Sequence, residues 1–87
     1  MLFRSPKIMF PPNGARLELT AEAGAVDPLA VKISGGALPL TVLVNGVPLE
    51  NATAKRTLFY QPDGPGFVRL TVMDAKGATD SIVVRLK

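Results

Sequence analysis

Gln61–Gly66 (QPDGPG), Phe67–Met73 (FVRLTVM), Asp74–Gly77 (DAKG) and Ala78–Leu86 (ATDSIVVRL) form the stretch that decides the fold. Two alternating runs flank a short turn, the pattern of a β-hairpin half buried against a core. Val68, Leu70 and Val72 share one face of the first run, and Ile82, Val84 and Leu86 share one face of the second. A three-residue loop, Ala75-Lys76-Gly77, with Gly77 in the left-handed region, pairs Leu70 with Ile82 and Val68 with Val84. A four-residue loop would set Leu70 against Ser81 and break the apolar face.

The chain upstream continues in the same idiom. Leu40 to Val44 is the most apolar run and is expected to be a central strand. Asn45-Gly46 follows, the dipeptide that suits both positive-φ positions of a type I′ turn. Its return, Val47-Pro48-Leu49, pairs Val44 with Val47 and Val42 with Leu49, and puts Pro48 opposite Leu43 on an edge strand that tolerates a missing N–H. Glu50 to Ala54 reads as loop, Lys55 to Tyr60 as strand and Gln61 to Gly66 as a tight turn. Leu29 to Ser34 alternates with Leu29, Val31 and Ile33 inward. Ala21 to Asp27 is short of helical length and reads as loop. Ser5 to Pro12, a short extended segment bracketed by prolines, belongs at an edge or at the domain's entry. After the Asn13-Gly14 turn, Leu17 and Leu19 face in, so the first strand is split between two sheets. These runs add up to an all-β chain: an immunoglobulin-like (fibronectin III-like) antiparallel β-sandwich of about seven strands, with no helix.

A chain of 87 residues makes one small domain, and 47% hydrophobic residues supply a core. Leu38 to Val44, the longest apolar run, falls short of the roughly 18 residues a membrane span needs. Met1 to Arg4 is too short for a signal peptide. The net charge of +3 is carried by scattered Lys and Arg, and aromatics make up 6%, too few for base-stacking platforms. No nucleic-acid partner is expected.

With no His and no Cys, the chain lacks the means for Ser–His–Asp or Cys–His catalysis, disulfides and most transition-metal sites. Ser5, Ser34 and Ser81 are followed three residues on by Ile8, Ala37 and Val84, so the serine–lysine S-x-x-K motif is missing. Asp74 and Asp80 match no EF-hand spacing and read as turn residues. Gly35-Gly36 and Gly64-Pro65-Gly66 open no helix and so are not phosphate loops. No cofactor is expected. One surface feature stands out on the outward face of the last hairpin. There Phe67 lies opposite Arg85 and Arg69 opposite Val83, with Met73 further along. Phe beside Arg is either a cation–π pair covering the sheet or the centre of a partner patch, since aromatic and Arg side chains dominate interface hot spots. Phe67, Arg69, Met73 and Arg85 are the candidate partner surface.

Three segments in order carry a likeness to a known family. They are Ser5-Pro6-Lys7-Ile8 with Phe10-Pro11-Pro12-Asn13-Gly14-Ala15, then Leu43 to Leu49 (LVNGVPL), then Tyr60 to Phe67 (YQPDGPGF) with Leu70 to Gly77 (LTVMDAKG) and Asp80-Ser81. With these the chain resembles the C-terminal domain of bifunctional penicillin-binding proteins of the 1C type. It departs from the family at Val42, where an aromatic often stands, and at Tyr60, where Trp is common. The resemblance implies a periplasmic, inner-membrane-anchored parent that polymerises and cross-links peptidoglycan, with its glycosyltransferase and transpeptidase sites outside these residues. The chain itself is then not an enzyme. It is a C-terminal accessory module that binds an envelope or cell-wall protein or positions the enzyme. The alternative is a carbohydrate-binding module for peptidoglycan glycan strands, against which stand the absence of Trp and the single Tyr. Residues 1–4 are expected to be a linker or the start of an excised piece, residues 5–87 the domain, and Lys87 the true end of the polypeptide. A monomer in isolation is expected.

Overall fold

A computed structural model of the chain describes residues 5–18, 21–22, 25–26, 28–62 and 64–87. Its strands are β1 (Lys7–Phe10), β2 (Arg16–Leu17), β3 (Ala21–Glu22), β4 (Ala25–Val26) and β5 (Leu29–Ser34), followed by β6 (Leu40–Val44), β7 (Val47–Thr53), β8 (Thr57–Tyr60), β9 (Gly66–Met73) and β10 (Thr79–Leu86). Among the described residues there is no helix. A three-stranded sheet runs β1-β5-β8 and a five-stranded sheet runs β2-β10-β9-β6-β7. All their pairings are antiparallel except β10 with β2.

The two sheets bury their inner faces against each other, which makes the chain a β-sandwich. The three-stranded sheet contributes Ile8, Val31, Ile33 and Leu58, and the other contributes alternate residues of β6 from Leu40, of β9 from Val68 and of β10 from Ile82. The terminal hairpin has the expected register: Leu70 faces Ile82 and Val68 faces Val84. Its loop closes by a bond from the Asp74 N–H to the Ala78 carbonyl (2.9 Å), and Gly77 has φ 87°. The first strand is split as expected, β1 lying in one sheet and β2 in the other. At the β6–β7 turn Asn45 (φ 51°) and Gly46 (φ 83°) both take the left-handed values of a type I′ turn.

Several expectations are corrected. Ala21 to Asp27 is not simply loop: β3 and β4 pair as a small ribbon, with Ala21 opposite Val26. Strand β7 continues through Glu50 to Thr53 rather than stopping at Leu49. A bulge puts Glu50, not Leu49, opposite Val42, because the extra residue lets the strand twist past Pro48 and resume pairing. Strand β8 begins at Thr57, not Lys55. Leu29 is half-buried rather than buried, and Gly66 already pairs with Leu86 as the first residue of β9. The short β2, β3 and β4 raise the strand total above seven. Leu19, Asp27, Asp63 and the expected linker at 1–4 lie outside the described residues.

One corner ties the sheets together. The side chain of Asp74, buried at the end of β9, accepts from the N–H groups of Lys76 and Ala78 through Oδ1 (both 2.9 Å) and of Ala37 through Oδ2 (3.0 Å). The first pair is local turn chemistry, whereas the third reaches the loop before β6. The Arg56 guanidinium holds the carbonyls of Gly35 and Gly36 in that same loop. The Ala37 N–H, ahead of those of Ala78 and Lys76 and the Lys76 charge, lowers the Asp74 pKa below the ordinary 3.8, against the opposing effect of burial. With the folded value below the unfolded one, the carboxylate's contribution is complete above the ordinary value and is lost as pH falls through the folded one. Asp74→Ala leaves three N–H groups without their acceptor and is expected to lower Tm by roughly 10 °C at neutral pH. Asp74→Asn keeps an oxygen for Lys76 and Ala78 but turns a donor toward Ala37. It is expected to fall between the two and to flatten the loss of Tm below pH 4. An Asp74→Asn curve as steep in acid as the wild-type curve would contradict this account.

Candidate functional site

Alternation along β9 and β10 sends Phe67, Arg69, Thr71 and Met73 outward on one strand and Thr79, Ser81, Val83 and Arg85 outward on the other. The centre of this face is held by two asparagines. The Arg69 N–H donates to Asn45 Oδ1 (2.9 Å) while the Asn45 N–H donates to the Arg69 carbonyl (2.9 Å). On the far side the Val83 N–H donates to Asn13 Oδ1 (3.0 Å) and the Gly14 N–H to the Val83 carbonyl (2.8 Å). Both Asn-Gly dipeptides of the sequence therefore extend one row across the sheet, from Asn45 through Arg69 and Val83 to Asn13.

Because the polar backbone groups of Arg69 and Val83 point away from each other, the two form a non-hydrogen-bonded pair, the closer kind, with Cα atoms about 4.5 Å apart. Phe67 and Arg85, two residues along, are of the same class, and their side chains meet. The Arg85 Cζ lies 5.7 Å from the centroid of the Phe67 ring. On the other side of Arg69, Thr71 Oγ1 and Ser81 Oγ bond at 2.9 Å. Phe67 is 71% exposed despite its arginine neighbour. Of the four residues singled out from the sequence, Phe67, Arg69 and Arg85 lie together. Met73 sits six residues along β9 from Phe67, about 20 Å away at the rise of an extended strand, between Thr41 and Thr79.

Sequence reasoning missed Arg16. The parallel pairing of β2 places it opposite Arg85, so Arg16, Arg85 and Phe67 stand on three adjacent strands. A shallow groove of about 310 Å³ runs here, lined in part by Gly14, Arg16, Phe67, Val83 and Arg85. The signal available was weak. Arg16-Leu17 alternates, but nothing local says that it joins the strand nearest the end of the chain. No outward residue of β2, β6, β9 or β10 is acidic.

The face offers cationic hydrogen-bond donors around an exposed ring. Among the described residues no group of three His, Cys, Asp or Glu side chains could hold a metal ion. Among them, too, no helix is long and apolar enough to cross a membrane.

No curated protein and no solved structure matches the chain. The family model described as the Penicillin-Binding Protein C-terminus Family matches residues 3–86, which bears out the resemblance seen in the Ser5–Ala15, Leu43–Leu49 and Tyr60–Ser81 segments.

Proposed function

The chain belongs to the penicillin-binding protein C-terminus family, and we propose that it is a non-catalytic accessory module of a bifunctional penicillin-binding protein, one that contacts another envelope protein or positions its parent. The parent would synthesise and cross-link peptidoglycan from the periplasmic side of the inner membrane, with its active sites outside these residues. Residues 5–87 would form the module, and the strand order, with its first strand shared between sheets, supports an immunoglobulin-like type. A chain without His, Cys or S-x-x-K supports the non-catalytic reading.

The observation that carries the proposal is the open face of the five-stranded sheet, where Phe67 remains 71% exposed beside Arg69 and Arg85. A cation–π pair at such a site stabilises a fold by only about 0.5–1 kcal/mol, so stability alone is a poor reason for displaying that ring. Capture from an envelope extract on immobilised chain tests the reading. Phe67→Ala is expected to abolish retention of the captured protein while lowering stability by less than about 1 kcal/mol. Retention that survives Phe67→Ala and Arg69→Ala together would remove this face as the contact.

The carbohydrate-binding alternative draws support from a different surface. On the outer side of the three-stranded sheet Phe10 and Phe59 are 40% and 64% exposed on either side of β5, whereas Tyr60 is half-buried against the core. Soluble peptidoglycan fragments that shift the amide signals of Phe10 and Phe59 would favour that alternative. Unmoved signals at millimolar fragment would remove it.

A further inference from the structure

Arg16 and Arg85 are partners in register on neighbouring strands, whose backbones lie about 4.8 Å apart. Like charges directly opposite each other destabilise a sheet, and a nearby carboxylate is the usual remedy. Here there is none. Among the described residues no acidic side chain pairs with Arg16, Arg69 or Arg85, and the outward residues of their strands contribute only uncharged or cationic groups. Where a chain sets like charges side by side with no paired counter-charge, a functional site is the expected cause. The compensation that fits is external: a carboxylate accepting from guanidinium N–H groups, with an apolar neighbour laid against the Phe67 ring and Val83.

We propose that the Arg16–Arg85 pair, flanked by Arg69 and Phe67, is the docking site for an acidic segment of a partner protein, one in which carboxylates bracket an apolar side chain. This rests on the accessory-module reading and names the chemistry of its partner. The groove of about 310 Å³ beside Gly14 admits a side chain rather than a domain, so a short extended segment suits it. Charge sets the choice of partner, and the ring supplies the anchor.

The test titrates the isotope-labelled 87-residue chain with a blocked peptide of four glutamates around one phenylalanine. Amide shifts are expected at Arg16, Phe67, Arg69, Val83 and Arg85, weakening as salt is raised. The same peptide with glutamine for glutamate is expected to leave them unmoved. Arg16→Gln and Arg85→Gln are each expected to weaken binding about fivefold, while Arg16→Gln holds Tm within about 4 °C because it relieves a like-charge pair. Equal shifts with the glutamine peptide, shifts confined to another face, or binding to phosphatidylglycerol vesicles without binding to the peptide would each overturn the proposal. Capture from envelope extract that is abolished by Phe67→Ala yet unaffected by Arg16→Gln with Arg85→Gln would overturn it while leaving the accessory reading standing. Capture unaffected by Phe67→Ala and by Arg16→Gln with Arg85→Gln would remove this face as the contact and the proposal with it.

Discussion

Gly36→Ala is expected to destabilise the domain by about 2–5 kcal/mol, one of the two largest losses foreseen for a single substitution in this chain. Gly36 has φ +81°, a conformation that costs an L-residue about 1–2 kcal/mol. A Cβ there would also lie 2.9 Å from Pro6 Cβ, 3.2 Å from Asp74 Cβ and 3.3 Å from Leu40 Cδ2. The first two atoms sit next to the backbone and cannot swing aside, so β1's leading segment and the β9–β10 corner must shift. Such overpacking adds about 1–3 kcal/mol. Gly77→Ala separates the two contributions: its φ is +87°, but nothing lies within 4 Å of the added carbon. Urea unfolding of the pair is expected to show Gly36→Ala losing clearly more than Gly77→Ala. Equal losses would mean that the close approach of Pro6 and Asp74 to this loop is wrong.

Leu70→Ala is the second. Leu70 is fully buried at the middle of the terminal hairpin, opposite Ile82 on one side and Val44 on the other. Removing its side chain is expected to lower stability by about 2–5 kcal/mol, while Ile82→Val loses about 0.5–1.5 kcal/mol. A domain of this length has a total of roughly 4–13 kcal/mol, so Leu70→Ala removes a large share of it. Met73→Ala, on the outward side of the same strand, is expected to stay within about 1 kcal/mol. Similar losses at Leu70 and Met73 would show that β9 does not separate an inner from an outer face.

The hairpin was legible in the sequence because three independent signals agreed there. Val68-Leu70-Val72 and Ile82-Val84-Leu86 match only in one register, Gly77 supplies the left-handed residue, and Asp74 closes the turn on its own backbone. The Asn45-Gly46 turn was legible for the same reason. What escaped the reading depended on distant partners. Ala21-Glu22 and Ala25-Val26 form two-residue strands that pair with each other, too short to leave an alternating pattern to read. The bulge near Leu49 and Glu50 follows from how β7 twists past Pro48, which a list of alternating residues does not contain. Arg56 looked like part of a strand but turns its guanidinium to the Gly35 and Gly36 carbonyls, some twenty positions earlier.

The candidate surface divides along the same line. Phe67, Arg69 and Arg85 were found because hairpin pairing is local and its register could be counted. Arg16 was not found, since β2 reaches β10 across most of the chain and pairs in parallel. Asn13 looked like a turn residue, yet its side chain also completes the ladder at Val83 and so fixes the height at which Arg16 meets Arg85. The arginine face is thus a product of long-range pairing laid over a locally specified hairpin.

Both the core and the proposed docking face depend on how β9 and β10 align, and Hα–Hα nuclear Overhauser cross-peaks of the labelled chain read that alignment directly. Cross-peaks are predicted for Phe67 with Arg85, Arg69 with Val83 and Thr71 with Ser81, the close non-hydrogen-bonded pairs. A set displaced by one residue, with Leu70 against Ser81, would turn one strand's apolar side to solvent and contradict the sandwich and the arginine face together.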